Sequence, residues 1–291
     1  MRTGIRWKLL CGLLWGVLTL TGAERAVDPT FLRRHVPDLP YSKSDLTTAN
    51  CRYKAIFGEG NSHASIAKGV ARFGQVELDP EGRCLEARYA REEQIYYVLE
   101  GEGSVNYDGE RSPLTRGDFF YIPPGIRYGL AAGSSDLKLI LMGYRIPAGA
   151  EIRMPAGLQK ANASEVNKQV VGNHPPSTLY QLLMGDTAST RDRLSTGHVL
   201  TSLFIMEFAP GGTNFPHHHD DEEEIYLLLD GAGDMVAGGG MDGVEGRHPA
   251  RPGDAYFFRL NCTVGFYNSD APGAATAHIL AARSRYPFRK R

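Results

Sequence analysis

Three stretches of this chain occur twice in the same order: Tyr53–Gly58 returns as Tyr180–Gly185, Gln94–Gly101 as Glu224–Gly231, and Arg116–Asp118 as Pro252–Asp254. Matched blocks in a fixed order, at an offset that grows slowly, are what duplication followed by loop insertion leaves. The 291 residues therefore divide into two similar units, and a chain of this length can bury two ordinary cores. The units are all-β. Its 34 glycines and 17 prolines fall between short runs rich in Val, Ile, Tyr and Phe, such as Arg72–Leu78 and Leu203–Phe208. Gly101–Gly103, Tyr107–Gly109 and Gly231–Gly233 supply turns between them.

At the start, Arg2, Arg6 and Lys8 precede the apolar stretch Leu9–Leu20 and the small residues Thr21–Ala23. This is the pattern of a secretory signal over residues 1–23, and the run is shorter than the roughly 20 residues a membrane span needs. A secreted or periplasmic protein is expected, with no membrane attachment after cleavage. Cys11 leaves with the signal. Cys51, Cys84 and Cys262 remain, enough for one internal disulfide: Cys51–Cys84 if the first half pairs, or three buried thiols. With 32 basic and 33 acidic residues interspersed, and no basic run beyond Arg289–Arg291, no nucleic-acid partner is expected.

Residues 24–50 carry Pro29, Pro37 and Pro40 without a sustained period, as in an arm laid over a domain or across to a partner subunit of a homo-oligomer. The first unit runs over 51–147, a linker over 148–176 and the second unit over 177–291. Within the linker, Gly157–Lys168 lacks β-branched residues before Val166 and is expected to hold a short helix. The insertion Gly238–Gly246 fits either a loop near a pocket mouth or a long hairpin.

Chemistry at ligand spacing is confined to Gly211–Gly231. If this stretch is a strand, His217 and His219 share one face, and after a turn at Asp220–Glu224 the apolar run Ile225–Leu229 returns Glu224 beside them. Two imidazoles and a carboxylate suit one divalent transition metal, whether Mn, Fe, Ni, Cu or Zn. The plainest alternative is a solvated His/acid cluster. Glu222 and Glu223 are neighbours in the acidic turn, and no proton-transfer residue can be named.

The second copy resembles the cupin superfamily. Gly211, His217, His219, Glu224 and Gly231 match every position of that family's first motif, while its second motif is met only by Gly253 and Asn268. Arg259, Asn261 and Val264 stand at its Pro, Gly and fourth-ligand His. In the first copy Gly117, Pro123 and Gly125 are kept, but Ala87, Tyr89, Gln94 and Tyr128 occupy the ligand positions. The resemblance implies two tandem cupin-type jelly-roll β-barrels, a bicupin, with a metal in the second barrel and none in the first. It leaves His278 as a candidate fourth donor, Arg259 as either a carboxylate clamp or a surface residue, and Tyr226 and Phe266 as pocket lining. Its chemistry is that of a metal-dependent enzyme of oxygenase, lyase or isomerase type acting on a small polar metabolite such as a sugar acid or other carboxylate. Because cupins serve many ends, a non-catalytic carbohydrate-binding, small-molecule-binding or structural cupin stands as the alternative.

Overall fold

A computed structural model describes residues 29–239 and 244–287; the expected signal, residues 1–23, lies outside the described residues. Each unit pairs one large sheet with a three-stranded sheet. In the first unit the large sheet runs in the order Gln159–Asn162, Asp118–Ile122, Glu92–Glu100, Leu137–Arg145, Val70–Leu78, Cys51–Gly58. It closes over Glu110–Thr115, Glu102–Tyr107 and Tyr128–Ala132. The second unit repeats this with Phe31–His35, Asp254–Phe258, Glu222–Asp230, Ala277–Arg285, Leu200–Phe208, Thr178–Asp186 and Lys168–Gln169. Its small sheet is Val244–Ala250, Gly233–Gly239 and Thr263–Asn268. The insertion is thus a long hairpin, with its tip, residues 240–243, outside the described residues.

The long strands are apolar on both faces because each separates two cores. Along Glu222–Asp230, Tyr226 and Leu228 point into the second barrel, while Ile225 and Leu227 join a core shared between the barrels. Tyr96 and Val98 against Ile95 and Tyr97 do the same in the first barrel. Period-2 alternation is present in geometry but invisible in hydropathy, as for any strand buried on both sides. Each such aliphatic side chain contributes about 1.5–3 kcal/mol of burial, so much of the stabilisation lies between the barrels.

The arms are exchanged. Phe31–His35 precedes the first barrel yet pairs with Asp254–Phe258 of the second; Gln159–Asn162 precedes the second yet pairs with Asp118–Ile122 of the first. Each arm is held by one buried aspartate. Asp254 accepts from Arg33 at 2.8 Å and lies 2.8 Å from His35 Nδ1, while Asp118 accepts from Lys160 at 3.2 Å and from Asn162 at 2.8 Å. This corrects the expected linker helix. Only one 3-10 turn forms, Ala163–Glu165, with Asn162 accepting the Ser164 N–H at its start. The open edge of a sheet presents unpaired N–H and C=O groups, and satisfying them outweighs a modest helical preference.

Two buried carboxylates cross the same boundary. Glu93, fully buried, accepts backbone N–H groups of His198, Val199 and Leu200 at 2.7, 2.8 and 2.8 Å. Its repeat counterpart Glu223 accepts those of Lys68 and Gly69 at 2.9 and 2.8 Å. Cys51 and Cys84 form a disulfide, Cα atoms 5.1 Å apart, and Cys262 is a buried thiol.

Candidate metal centre

The histidine segment is not a regular strand. One antiparallel bridge, His217 to Val264, ties it to the barrel, with N–H···O distances of 3.0 and 2.8 Å, and the long strand already begins at Glu222. The turn is consequently shorter than expected. Phe215, just upstream, has φ of 53°, a left-handed conformation costly for a bulky residue. That bend aims its carbonyl at His217, whose Nδ1 lies 2.8 Å away. A carbonyl only accepts, so Nδ1 carries the proton and Nε2 keeps its lone pair. The His219 carbonyl accepts the Asn261 N–H at 2.9 Å, fixing the second imidazole's backbone.

Ligand atoms of His217, His219 and Glu224 all lie within 4.8 Å of one another. His219 Nε2 and Glu224 Oε2 are 3.1 Å apart, yet both are buried without a hydrogen bond among the described residues. Two buried atoms with no partner but each other among the described residues, beside a lone pair on His217, fit a divalent cation. Without an ion, His219 and Glu224 hold each other as an ion pair. Burial lowers the His217 pKa; burial also opposes charge on His219, but the Glu224 carboxylate outweighs it and raises the pKa. Burial would raise Glu224, and the neighbouring His219 and Arg283 instead pull it down.

These ligands open on a cavity of about 170 Å³ walled by Tyr180, Leu182, Phe204 and Tyr226, which widens into a groove of about 960 Å³ sharing His219, Arg191 and Arg283. Tyr226 lines it, its hydroxyl accepting from Asn214 at 3.1 Å. The other expected residues do not. Phe266 is fully buried against Phe208 at 4.9 Å between ring centroids. His278 alternates to the opposite face of its strand, 3.1 Å from Glu207, so it supplies no fourth nitrogen. Arg259 donates to the Pro29 carbonyl at 3.2 Å and thus secures the arm rather than a substrate.

The cation beside the ligand cluster is Arg283, directly across the ladder from Glu224 and 3.2 Å from Glu222. Its strand carries Ala277, Ile279 and Ala281 inward, so period 2 puts Arg283 inside as well. His174, from the linker, completes the wall; no local pattern marks it.

In the first barrel Ala87 and Tyr128 form the bridge that His217 and Val264 form in the second, so the two motif frames correspond at that pair. Tyr128 and Tyr96 meet hydroxyl to hydroxyl at 2.8 Å, and Arg72 fills the mouth, stacked 4.5 Å from the Tyr89 ring and paired with Asp45, Glu59 and Glu92.

With two jelly rolls and one three-ligand cluster in view, the family can be stated: a cupin-domain model matches residues 74–143 and 204–279, and the chain belongs to the cupin family as a bicupin. An uncharacterised protein of Methanocaldococcus jannaschii is 33% identical over 84 residues, 28% of this chain and 67% of that protein. Among solved structures, a putative glyoxylate-induced protein of Pseudomonas aeruginosa superposes with a TM-score of 0.70 at 18% identity, covering 92% of this chain and 94% of the other. YlbA of E. coli gives 0.66 at 19% identity over 92% and 97%. The oxalate decarboxylase of Lactobacillus farciminis, solved as a formate complex, gives 0.64 at 12% over 91% and 88%. At these identities the structures speak to the fold.

Proposed function

We propose that this protein is an exported, metal-dependent bicupin enzyme whose second barrel holds one divalent ion through His217, His219 and Glu224 and acts on a small carboxylate. The observation that carries it is the cluster of ligand atoms of His217, His219 and Glu224 within 4.8 Å of one another, in which His219 Nε2 and Glu224 Oε2 meet only each other among the described residues. A divalent ion there supplies Lewis acidity to substrate oxygens. The chain's own part is to bind and orient. Arg283, above the Phe204 ring at 5.6 Å, offers a planar cation to a carboxylate. Tyr180, Leu182 and Phe204 narrow the cavity and limit bulk water around the reacting atoms. The carboxylate-handling neighbour, an oxalate decarboxylase, supports the substrate class by analogy of fold. The Cys51–Cys84 disulfide and the leader pattern of residues 1–23 support an oxidising compartment.

Metal analysis of purified protein is the direct test, followed by turnover of sugar acids, phenolics and small carboxylates by the loaded protein. Protein that purifies metal-free, takes up none of Mn, Fe, Ni, Cu or Zn, and turns over nothing would leave the non-catalytic binding alternative in its place.

A further inference from the structure

His174 brings a third imidazole to the cavity from outside the barrel. It follows Lys168–Gln169 in the segment joining the barrels, and its ring centroid lies 5.4 Å from that of His217 and 5.3 Å from that of Tyr180. Its Nδ1 sits 2.7 Å from the Asn214 carbonyl oxygen. Since a carbonyl cannot donate, Nδ1 carries the proton, and Nε2 is the ring nitrogen that can serve as an acceptor. The anchor cannot turn away. Asn214 is 1% exposed, its Oδ1 accepts the Phe266 N–H at 2.9 Å, and its Nδ2 donates to Tyr226 at 3.1 Å.

His174 is not part of the three-residue ligand cluster, so its nitrogen remains for what occupies the cavity. The remaining wall is mostly apolar or aromatic: Leu182, Phe204, Tyr180 and Tyr226. Ser202 also lines it, but a hydroxyl can turn its hydrogen either way and so does not discriminate. Arg191 also reaches the cavity, at the side shared with the groove, where it is 3.5 Å from Asp192. The features beside the metal ligands that then define the occupant are the Arg283 cation next to Glu224 and an acceptor next to His217.

We infer that His174 is the specificity-determining residue of this pocket: its Nε2 accepts the hydroxyl hydrogen on the carbon next to the carboxylate that Arg283 holds. This selects small 2-hydroxy carboxylates over unsubstituted ones. It rests on the metal-centre reading above, because three protein ligands leave positions open for the chelating oxygens of such an acid.

The test uses the full-length, metal-loaded protein, with glycolate and acetate as probes in calorimetric titration. His174→Phe keeps a ring of similar volume and removes the acceptor. Glycolate affinity should fall about tenfold, the cost of one lost hydrogen bond in a desolvated site, while acetate affinity and one metal per chain are retained. His174→Gln, which offers an amide oxygen, should recover part of the loss. A purely structural role would weaken both acids alike, and that result, or no change in either, overturns the assignment while leaving the metal centre standing. Wild-type protein that takes up no ion overturns both.

Discussion

Arg72 and Arg283 occupy opposite members of the same cross-strand pair in the two barrels. In the first, Arg72 faces Gly143; in the second, Ser202 faces Arg283. Each cation has a small partner because the guanidinium stem lies over it: a Cβ on Gly143 would stand 2.7 Å from the Arg72 side chain and 2.8 Å from Gln94. One barrel thus keeps a permanent organic cation among its acids. In the other, Arg283 pairs with Glu222 at 3.2 Å and stays 4.0 Å from Glu224, which meets His219 instead.

Arg72→Met is expected to destabilise the protein by about 1–3 kcal/mol, since it strips the partner from three carboxylates of which Asp45 and Glu59 remain half-open to water. Denaturant unfolding measures it. The metal content should stay at one ion per chain, because Ala87, Tyr89, Gln94 and Tyr128 still occupy the first barrel's ligand positions; a second ion in anomalous diffraction would contradict this.

His217→Ala or His219→Ala should abolish metal retention, because two protein ligands hold a divalent ion poorly against water. Circular dichroism should remain that of the wild type, since the two barrel interiors and the shared core are apolar and independent of the ion. Collapse of the fold in these variants would show that the centre is structural.

Arg283→Met should weaken binding of small carboxylates to the metal-loaded protein by about tenfold to a hundredfold, the range for losing a charge-assisted hydrogen bond. Arg259→Met should leave it unchanged, since that side chain meets the Pro29 carbonyl. Equal losses in both variants would refute the division of roles.

Glu93→Ala removes the acceptor of three buried N–H groups and is expected to cost about 3 kcal/mol or more. The unfolding midpoint should drop accordingly. A change below about 1 kcal/mol would mean the loop Gly197–Leu200 finds other partners.

Reduction of Cys51–Cys84, which closes a separation of 33 residues, should lower stability by about 3.5 kcal/mol on the loop-entropy estimate. Cysteine-to-serine substitution at both positions should reproduce the value in reductant-free buffer. If reductant has no effect on the unfolding midpoint, the thiols are not paired in solution.

The repeat was legible because strand residues buried on two sides tolerate little change of character, so Gln94–Gly101 and Glu224–Gly231 still look alike. The clustering of His217, His219 and Glu224 was legible too, as polar residues at fixed spacing. Arg283 was legible in principle: it extends the inward series Ala277, Ile279, Ala281, and only the motif frame drew attention to Arg259 instead. His278 misled because strand face depends on register, and one residue of shift reverses it. His174 and the Gln159–Asn162 arm left no local trace, and of the Phe31–His35 arm the prolines of residues 24–50 showed that it lies over a domain or a partner subunit, though not which edge it meets. Arg33 and His35 stand to Asp254 as Lys160 and Asn162 stand to Asp118, two residues per arm, too few to read without knowing which edge they meet.

The crossed arms make each barrel a non-contiguous piece of chain. Excising residues 51–147 would take away Gln159–Asn162, which covers the edge at Asp118–Ile122, and leave that edge free to recruit another molecule. A one-barrel chain wired in this way could finish its sheet only by trading arms with a twin, as a strand-swapped dimer. Tandem fusion makes the trade internal, which frees it from dependence on protein concentration. It also lets the two halves diverge in their motif positions while each still receives an edge strand from outside its own stretch of chain.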